Sequence, residues 1–197
     1  MQEGSSRRSN KDRSEATRSA LIDAGRMLFV ESPYGEISTP EIASKAGVTR
    51  GALYHHFADK RELFAAVVNS EATAVAHDIV QSAPAGTSAM EALMAGGQAY
   101  LDAMAVPGRT RLLLLDGPAV LGHAEAKAID MCHSAATLRE GLANAIKAGA
   151  IRALALEPLT AMISAAFDAA SLDIEAGGDR AEWENCLQAM IKGLAPD

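Results

Sequence analysis

The chain has 197 residues, of which 49% are apolar and only 4% aromatic, and it carries seven net negative charges. That length suffices for a real core and one or two compact units, and an apolar set dominated by Ala and Leu favours helix-on-helix packing over sheets. No window of 18 uncharged apolar residues predicts a transmembrane helix, and no apolar run of signal-peptide type follows the N-terminus, so a cytoplasmic protein without membrane partners is expected.

Charge is distributed unevenly. Residues 1–64 hold ten basic and nine acidic side chains, whereas residues 65–197 hold eight and sixteen. The acidity therefore belongs to the C-terminal two-thirds, which leaves the N-terminal third free to carry a locally positive face. Cys132 and Cys186 lack partners at metal-ligand spacing and are read as small buried apolar residues.

Residues 1–13, with Arg7, Arg8, Lys11 and Arg13, are polar and aperiodic, which predicts a disordered arm. Helical periodicity starts near Glu15, with Leu21, Ala24, Gly25, Leu28 and Phe29 on one face, and "ESPYGE" ends it at Pro33 and Gly35. Ser38 with Glu41 three residues on is a capping box that opens a second helix. Pro40 is tolerated in its first turn, and Gly47 provides the exit. Thr49 caps a very short third helix, "RGALYHHF", whose Leu53 and Phe57 lie four apart on the inner side. Asp59 with Glu62 forms a further capping box for a fourth helix running to about Gln81.

After "SAPAGTS", helices are expected at about 88–105, 109–116, 124–149, 159–176 and 180–193, separated by "VPG", "DGP", "EP" and "AGGD". Four consecutive leucines in "RTRLLLLDGP" cover every side of a helix and predict deep burial there, with Asp116, Gly117 and Pro118 as its stop. The expected fold is all-α, about nine helices: residues 14–64 form a helix-turn-helix domain and residues 65–197 a helical bundle.

The two short helices joined by "KAGV" have a physical purpose. In a helix-turn-helix the second helix presents its N-terminal residues and outer face to base edges in the major groove. Here the outward set is Thr49, Arg50, Gly51, Tyr54 and His55. The helix starts at Ser38/Thr39 and at Asp59/Lys60 can offer N–H groups to phosphates, and Lys60 adds a cation. His56 points toward the next turn and is read as structural. Adjacent histidines on a helix diverge by about 100°, so His55/His56 predicts no metal site. Neither a nucleophile–base arrangement, a Gly-rich phosphate loop nor paired carboxylates in a credible setting is present, so no enzyme activity, catalytic residue or cofactor is expected.

Residues 16 to about 68, above all "IASKAGVTRGALYHHFADKRELF", resemble the DNA-binding domain of the TetR (tetracycline-repressor) family of bacterial transcriptional regulators. By position, the resemblance implies a recognition helix at Arg50–His56. Arg50, Tyr54 and His55 then contact bases or phosphate, Lys60 a phosphate, and Ser38 and Thr39 the phosphate-facing start of the helix before it. Pro33 departs from the glycine usual there.

The resemblance further implies a homodimer on double-stranded operator DNA, released by a small-molecule effector, with the last two helices pairing with their mates. The interface residues would be Ala161, Ala165, Phe167, Ala169, Trp183, Leu187 and Met190, with an intrachain core as the alternative. A ligand pocket would lie among the middle helices, where Met90, Met94, Tyr100, Met104, Leu112, Leu115, Met131 and Phe167 are the adaptable apolar candidates and His77, His123 and His133 the polar ones. A nucleoid-type protein on the same fold, with a filled bundle and no effector, is the rival reading.

Overall fold

The computed structural model describes residues 10–82 and 86–196. All regular structure among them is helical. The chain divides into two compact units between Val67 and Val68, three residues beyond the boundary expected from sequence.

The first unit opens with α1 (Asn10–Glu31), which buries Leu21, Ala24, Gly25 and Phe29. Of the expected arm, residues 1–9 with Arg7 and Arg8 lie outside the described residues, and residues 10–13 form the first turn of α1. Pro33 (φ −56°) starts a single 3₁₀ turn, Tyr34–Glu36, closed by the Glu36 N–H donating to the Pro33 carbonyl at 3.0 Å. No residue of this connection has a positive φ, so proline serves there without strain.

Helix α2 (Thr39–Lys45) has its predicted capping box. The Ser38 Oγ accepts from the Glu41 N–H while the Glu41 carboxylate accepts from the Ser38 N–H, and these bonds hold the exposed Glu41 carboxyl below its usual pKa. Gly47, at φ +67°, turns the chain out of α2 through the left-handed region. Helix α3 (Arg50–His56) is capped by Thr49, whose side chain accepts from the Ala52 N–H.

Helix α4 (Lys60–Gln81) opens differently from its expected box. Asp59 accepts from the Glu62 N–H at 2.8 Å, but the Glu62 carboxylate reaches past Asp59 to the Ala58 N–H at 2.6 Å. By length and composition α4 could cross a membrane, yet its Leu63, Phe64, Val67 and Val75 are buried in protein core.

The second unit holds the rest of α4, then α5 (Ala89–Met104), a π-helical segment Arg111–Asp116, α6 (Gly117–Leu121), α7 (His123–Cys132), α8 (Ser134–Lys147), α9 (Leu156–Glu175) and α10 (Arg180–Lys192). Its core joins Leu93 and Leu101 of α5, Leu142 and Ala145 of α8, Ile163, Phe167 and Ala170 of α9, and Leu187 and Ile191 of α10. Gly97 allows α5 and α9 to approach closely, since a Cβ there would meet the Phe167 ring at 2.7 Å.

A buried ion pair completes this unit. Arg109 Nε donates to Glu71 Oε2 at 2.9 Å and Arg109 Nη1 to the Ala103 carbonyl at 2.7 Å, so the guanidinium enters the interior already hydrogen-bonded.

Four expectations require correction. The leucine run does not stop at Gly117-Pro118. Pro118 lacks the N–H an α-turn needs, and the chain widens into a π-turn in which Gly117 N–H bonds to the Leu112 carbonyl. It then continues through α6 to Gly122 at φ +88°.

Nor is the run uniformly buried. Leu112 is fully enclosed, but Leu115 is 49% exposed. The helix expected over 124–149 is two, broken at His133 (φ −126°, ψ −100°). Finally, Cys132 and Cys186 are exposed rather than buried, because the apolar stripes of α7 and α10 lie on other faces.

Candidate nucleic-acid interface and helical cavity

The outer face of α3 stands on two anchors. Leu53 and Phe57 are 0% and 1% exposed, and their four-residue spacing turns the other side of the helix to solvent. On that side Thr49, Arg50, Gly51, Tyr54 and His55 are all exposed. Tyr54 is fixed at both ends. Its hydroxyl lies 3.1 Å from Thr39 Oγ1, and the Arg50 guanidinium sits over its ring, 5.4 Å from the centroid. The Thr39 bond, followed by Arg50, holds the phenol below its usual pKa.

Thr39 at the start of α2 and Arg50 at the start of α3 are thereby joined through one ring into a single polar surface. Gly51 adds no side chain to that surface, and the space above it is open: a Cβ there would meet only Thr49 Oγ1, at 3.8 Å.

The two histidines differ. His55 is exposed, whereas His56 is half-buried, and burial first, then its neighbour His55, lowers its pKa. His56 is thus the more enclosed of the two.

Lys60 departs from a simple phosphate contact. Its ammonium donates to the Tyr34 carbonyl at 2.8 Å and the Ile37 carbonyl at 2.7 Å, and lies 4.1 Å from the Tyr34 ring centroid. Two of its three donors therefore clamp the connection between α1 and α2.

In the second unit the helices line a partly open cavity of about 330 Å³. Ile79 and Val80 of α4, Leu93 and Tyr100 of α5, Leu138 and Leu142 of α8, and Ile163 and Phe167 of α9 contribute its apolar wall. Val80 and Glu140 line it and are also exposed, which marks its mouth. Tyr100 and Phe167 meet edge to face, with centroids 5.7 Å apart. The Tyr100 hydroxyl donates to Asp168 Oδ1 at 2.6 Å.

Two family models match the chain: "Bacterial regulatory proteins, tetR family" over residues 21–67 and "Tetracyclin repressor-like, C-terminal domain" over residues 90–194. The chain belongs to the TetR family. A TetR-family transcriptional regulator (ECA1819) from Pectobacterium atrosepticum shares the fold at a TM-score of 0.76 and 27% identity, over 96% of this chain and 99% of that one.

Curated relatives match over part of the chain. The Transposon Tn10 TetC protein of Escherichia coli is 46% identical over 52 residues, 26% of each chain. The HTH-type transcriptional regulator AcrR of Shigella flexneri is 42% identical over 60 residues, 30% of this chain and 28% of AcrR. The matched part thus spans about a quarter of these relatives' length.

Among TetR-family features expected in the second unit, the cavity collects only part of the residues named for it. Tyr100 and Phe167 line it. Met90 and Met94 pack against the core nearby, Met104 and Leu112 are enclosed elsewhere, and Leu115 and Met131 are about half exposed. His133 is held by Asn69 instead, at 2.9 Å, and neither His77 nor His123 lines the cavity.

Ser134, Thr137, Gly141 and Asn144 of α8 supply much of the lining that sequence reading missed. Their three- and four-residue spacing was the available signal.

The residues named for an interface also divide. Phe167 and Leu187 are 7% and 4% exposed and belong to the chain's own core. Ala161, Ala165, Ala169 and Met190 are exposed, and Trp183 is half-buried with its Nε1 donating to Asp173 Oδ2 at 2.7 Å. The helical period explains the division: Ile163, Phe167 and Ala170 face inward on α9, which turns Ala161, Ala165 and Ala169 outward.

Proposed function

We propose that this chain is a ligand-responsive transcriptional regulator, a repressor that binds a palindromic operator as a homodimer and is released by a small molecule. The observation that carries the reading is the exposed polar face of α3, mounted on buried Leu53 and Phe57. It has the form a major-groove reader needs: a short helix with small and hydrogen-bonding residues outward. Arg50, Tyr54 and His55 read base edges or adjacent phosphates. Thr49, Gly51, Ser38 and Thr39 set the approach to the backbone, and Lys60 supports it mainly by holding the connection from α1 to α2.

One such helix reads few base pairs, so two copies related by a dyad are required for a palindrome. The face of α9 carrying Ala161, Met162, Ala165 and Ala169 is apolar, and Met162 is 71% exposed within the single chain. With Ala189 and Met190 of α10 it supplies the surface a second copy covers. The protein acts in the cytoplasm, where its operator is.

The cavity supports an effector rather than a nucleoid-type role, since a filled bundle would leave no such space. Helix α4 supplies the link: its first turns belong to the DNA-binding unit, and its Ile79 and Val80 line the cavity. A ligand that favours one position of α4 changes the half-site spacing the dimer can fit, provided it binds the two states with a difference of about 1–3 kcal/mol.

Selection from a random duplex library with the full chain tests the reading. A palindromic consensus lost on Arg50→Ala is expected. Binding without sequence preference would return the protein to a nucleoid-type role. Ala165→Glu should give monomers in light scattering with weakened operator affinity, and an unchanged dimer would move the interface off α9.

A further inference from the structure

The cavity in the second unit has charge of one sign only. Among the described residues, Glu140, at its mouth, is the charged residue of the lining, and no Lys, Arg or His lines it. Behind the wall the same sign continues. Asp168 accepts the Tyr100 hydroxyl bond at 2.6 Å, and Asp130 lies close enough for the charge on Asp168 to push its carboxyl up, burial being the larger cause.

Among the described residues neither carboxyl is in an ion pair: Arg109, Arg111, Arg139 and Arg180 pair with Glu71, Asp78, Asp116, Glu157, Asp102 and Glu184. One turn beyond Asp168 on α9, the Ser171 side chain is 4% exposed and lies near the Tyr100 hydroxyl. Tyr100 lines the cavity, so the Asp168 carboxylate bonded to its hydroxyl stands directly behind that part of the wall, while Glu140 is exposed at the mouth.

We propose that the cavity takes a lipophilic cation, an organic amine or quaternary ammonium on an apolar body, with its charge directed at the Tyr100–Asp168–Asp130 end. This rests on the reading of the cavity as the effector site and names the chemistry of that effector. An anionic ligand would bury like charge against these carboxyls with no donor cation to offset it. A neutral ligand gains apolar burial and the hydrogen bonds that Ser134, Thr137, Asn144 and Ser164 offer, but leaves the carboxyl charge unmatched. A cation gains that burial and supplies the counter-charge the carboxyls lack, and the Tyr100 and Phe167 rings offer it π-faces.

Three probes with one apolar body test this by calorimetry on the full chain: 4-phenylbutylamine, 4-phenylbutanol and 4-phenylbutanoate. At pH 7.5 and low salt the amine should bind at least tenfold more tightly than the alcohol, with the acid weakest. Asp168→Asn should bring the amine-to-alcohol ratio close to one, and Ala92→Phe, which fills the cavity, should weaken amine and alcohol together.

Acid binding that equals amine binding, or a ratio unmoved by Asp168→Asn, overturns the charge preference and leaves the cavity as an effector site for other chemistry. Binding of none of the three, or binding indifferent to Ala92→Phe, overturns the proposal together with the effector half of the regulator reading. Operator selection is a separate measurement and is untouched by either result.

Discussion

At the scale of single residues, the reading face separates into groups that touch solvent and groups that hold them. Arg50 and Tyr54 are exposed and joined. Arg50→Ala should therefore weaken operator binding by about 1–3 kcal/mol without altering the denaturation midpoint; a gel-shift titration reads the first and a urea melt the second. Lys60 behaves in the opposite way, because its ammonium is bound to two carbonyls of the chain itself. Lys60→Met should destabilise the first unit by about 1.5–3 kcal/mol, the scale of hydrogen bonds to a charged group. Unchanged stability with weakened DNA binding would restore the plain phosphate contact. This contrast marks what was legible. Leu53 and Phe57 could be assigned inward from their spacing alone, and Tyr54 outward with them. The Thr39–Tyr54 bond and the Lys60 clamp join residues 15 to 26 apart, a partnership no local period encodes.

At the scale of elements, Gly97 sets how closely α5 and α9 pack. A methyl group there would lie 2.7 Å from the Phe167 ring, which also lines the cavity. Gly97→Ala should cost about 1–3 kcal/mol from overpacking, despite the helix propensity gained. It should also weaken binding of any cavity probe as the ring is displaced, with calorimetry and a urea melt on one preparation reading both. Stability equal to or above that of the parent would show that the ring yields freely. Helices with strong local signals at their ends, such as the Ser38 box and the Gly47 exit, were legible to within a residue or two. The Ser88–Glu91 box of α5 carried the same signal. The π-turn before Pro118 was not legible, because a proline that ends a helix and one that widens it read alike in one dimension. The break at His133 has no glycine or proline to announce it. Cavity residues were least legible of all, since a void is defined by which side chains fail to fill a space rather than by what they are.

At the scale of the whole molecule, the half-buried acids Asp130 and Asp168 of the second unit and the exposed capping acids pull stability in opposite directions with pH. The Asp130 carboxyl is raised from 3.8 to about 6, by burial and then by the charge on Asp168; burial raises Asp168 as well. Between about pH 4 and pH 6 the folded chain therefore holds more protons at these sites than the unfolded chain, and stability falls as pH rises through that window. Glu41 and Glu91 have lowered pKa values from their serine caps, so their contribution is present above about pH 4.5 and fades as pH falls below it. The two trends place maximal stability on the acid side of neutrality. A shift of about two units at Asp130 corresponds to about 3 kcal/mol as an upper bound on what its charge costs at neutral pH. Asp130→Asn should therefore raise the urea midpoint at pH 7.5, by about 1–3 kcal/mol of stability, and change it little at pH 5, where the native carboxyl is already largely protonated. An equal effect at both values would mean that packing, not charge, is what the substitution alters. The same physics governs the cavity: a bound cation offsets at neutral pH the charge that a proton removes at pH 5, so the thermal stabilisation given by 4-phenylbutylamine should shrink as pH falls toward 5.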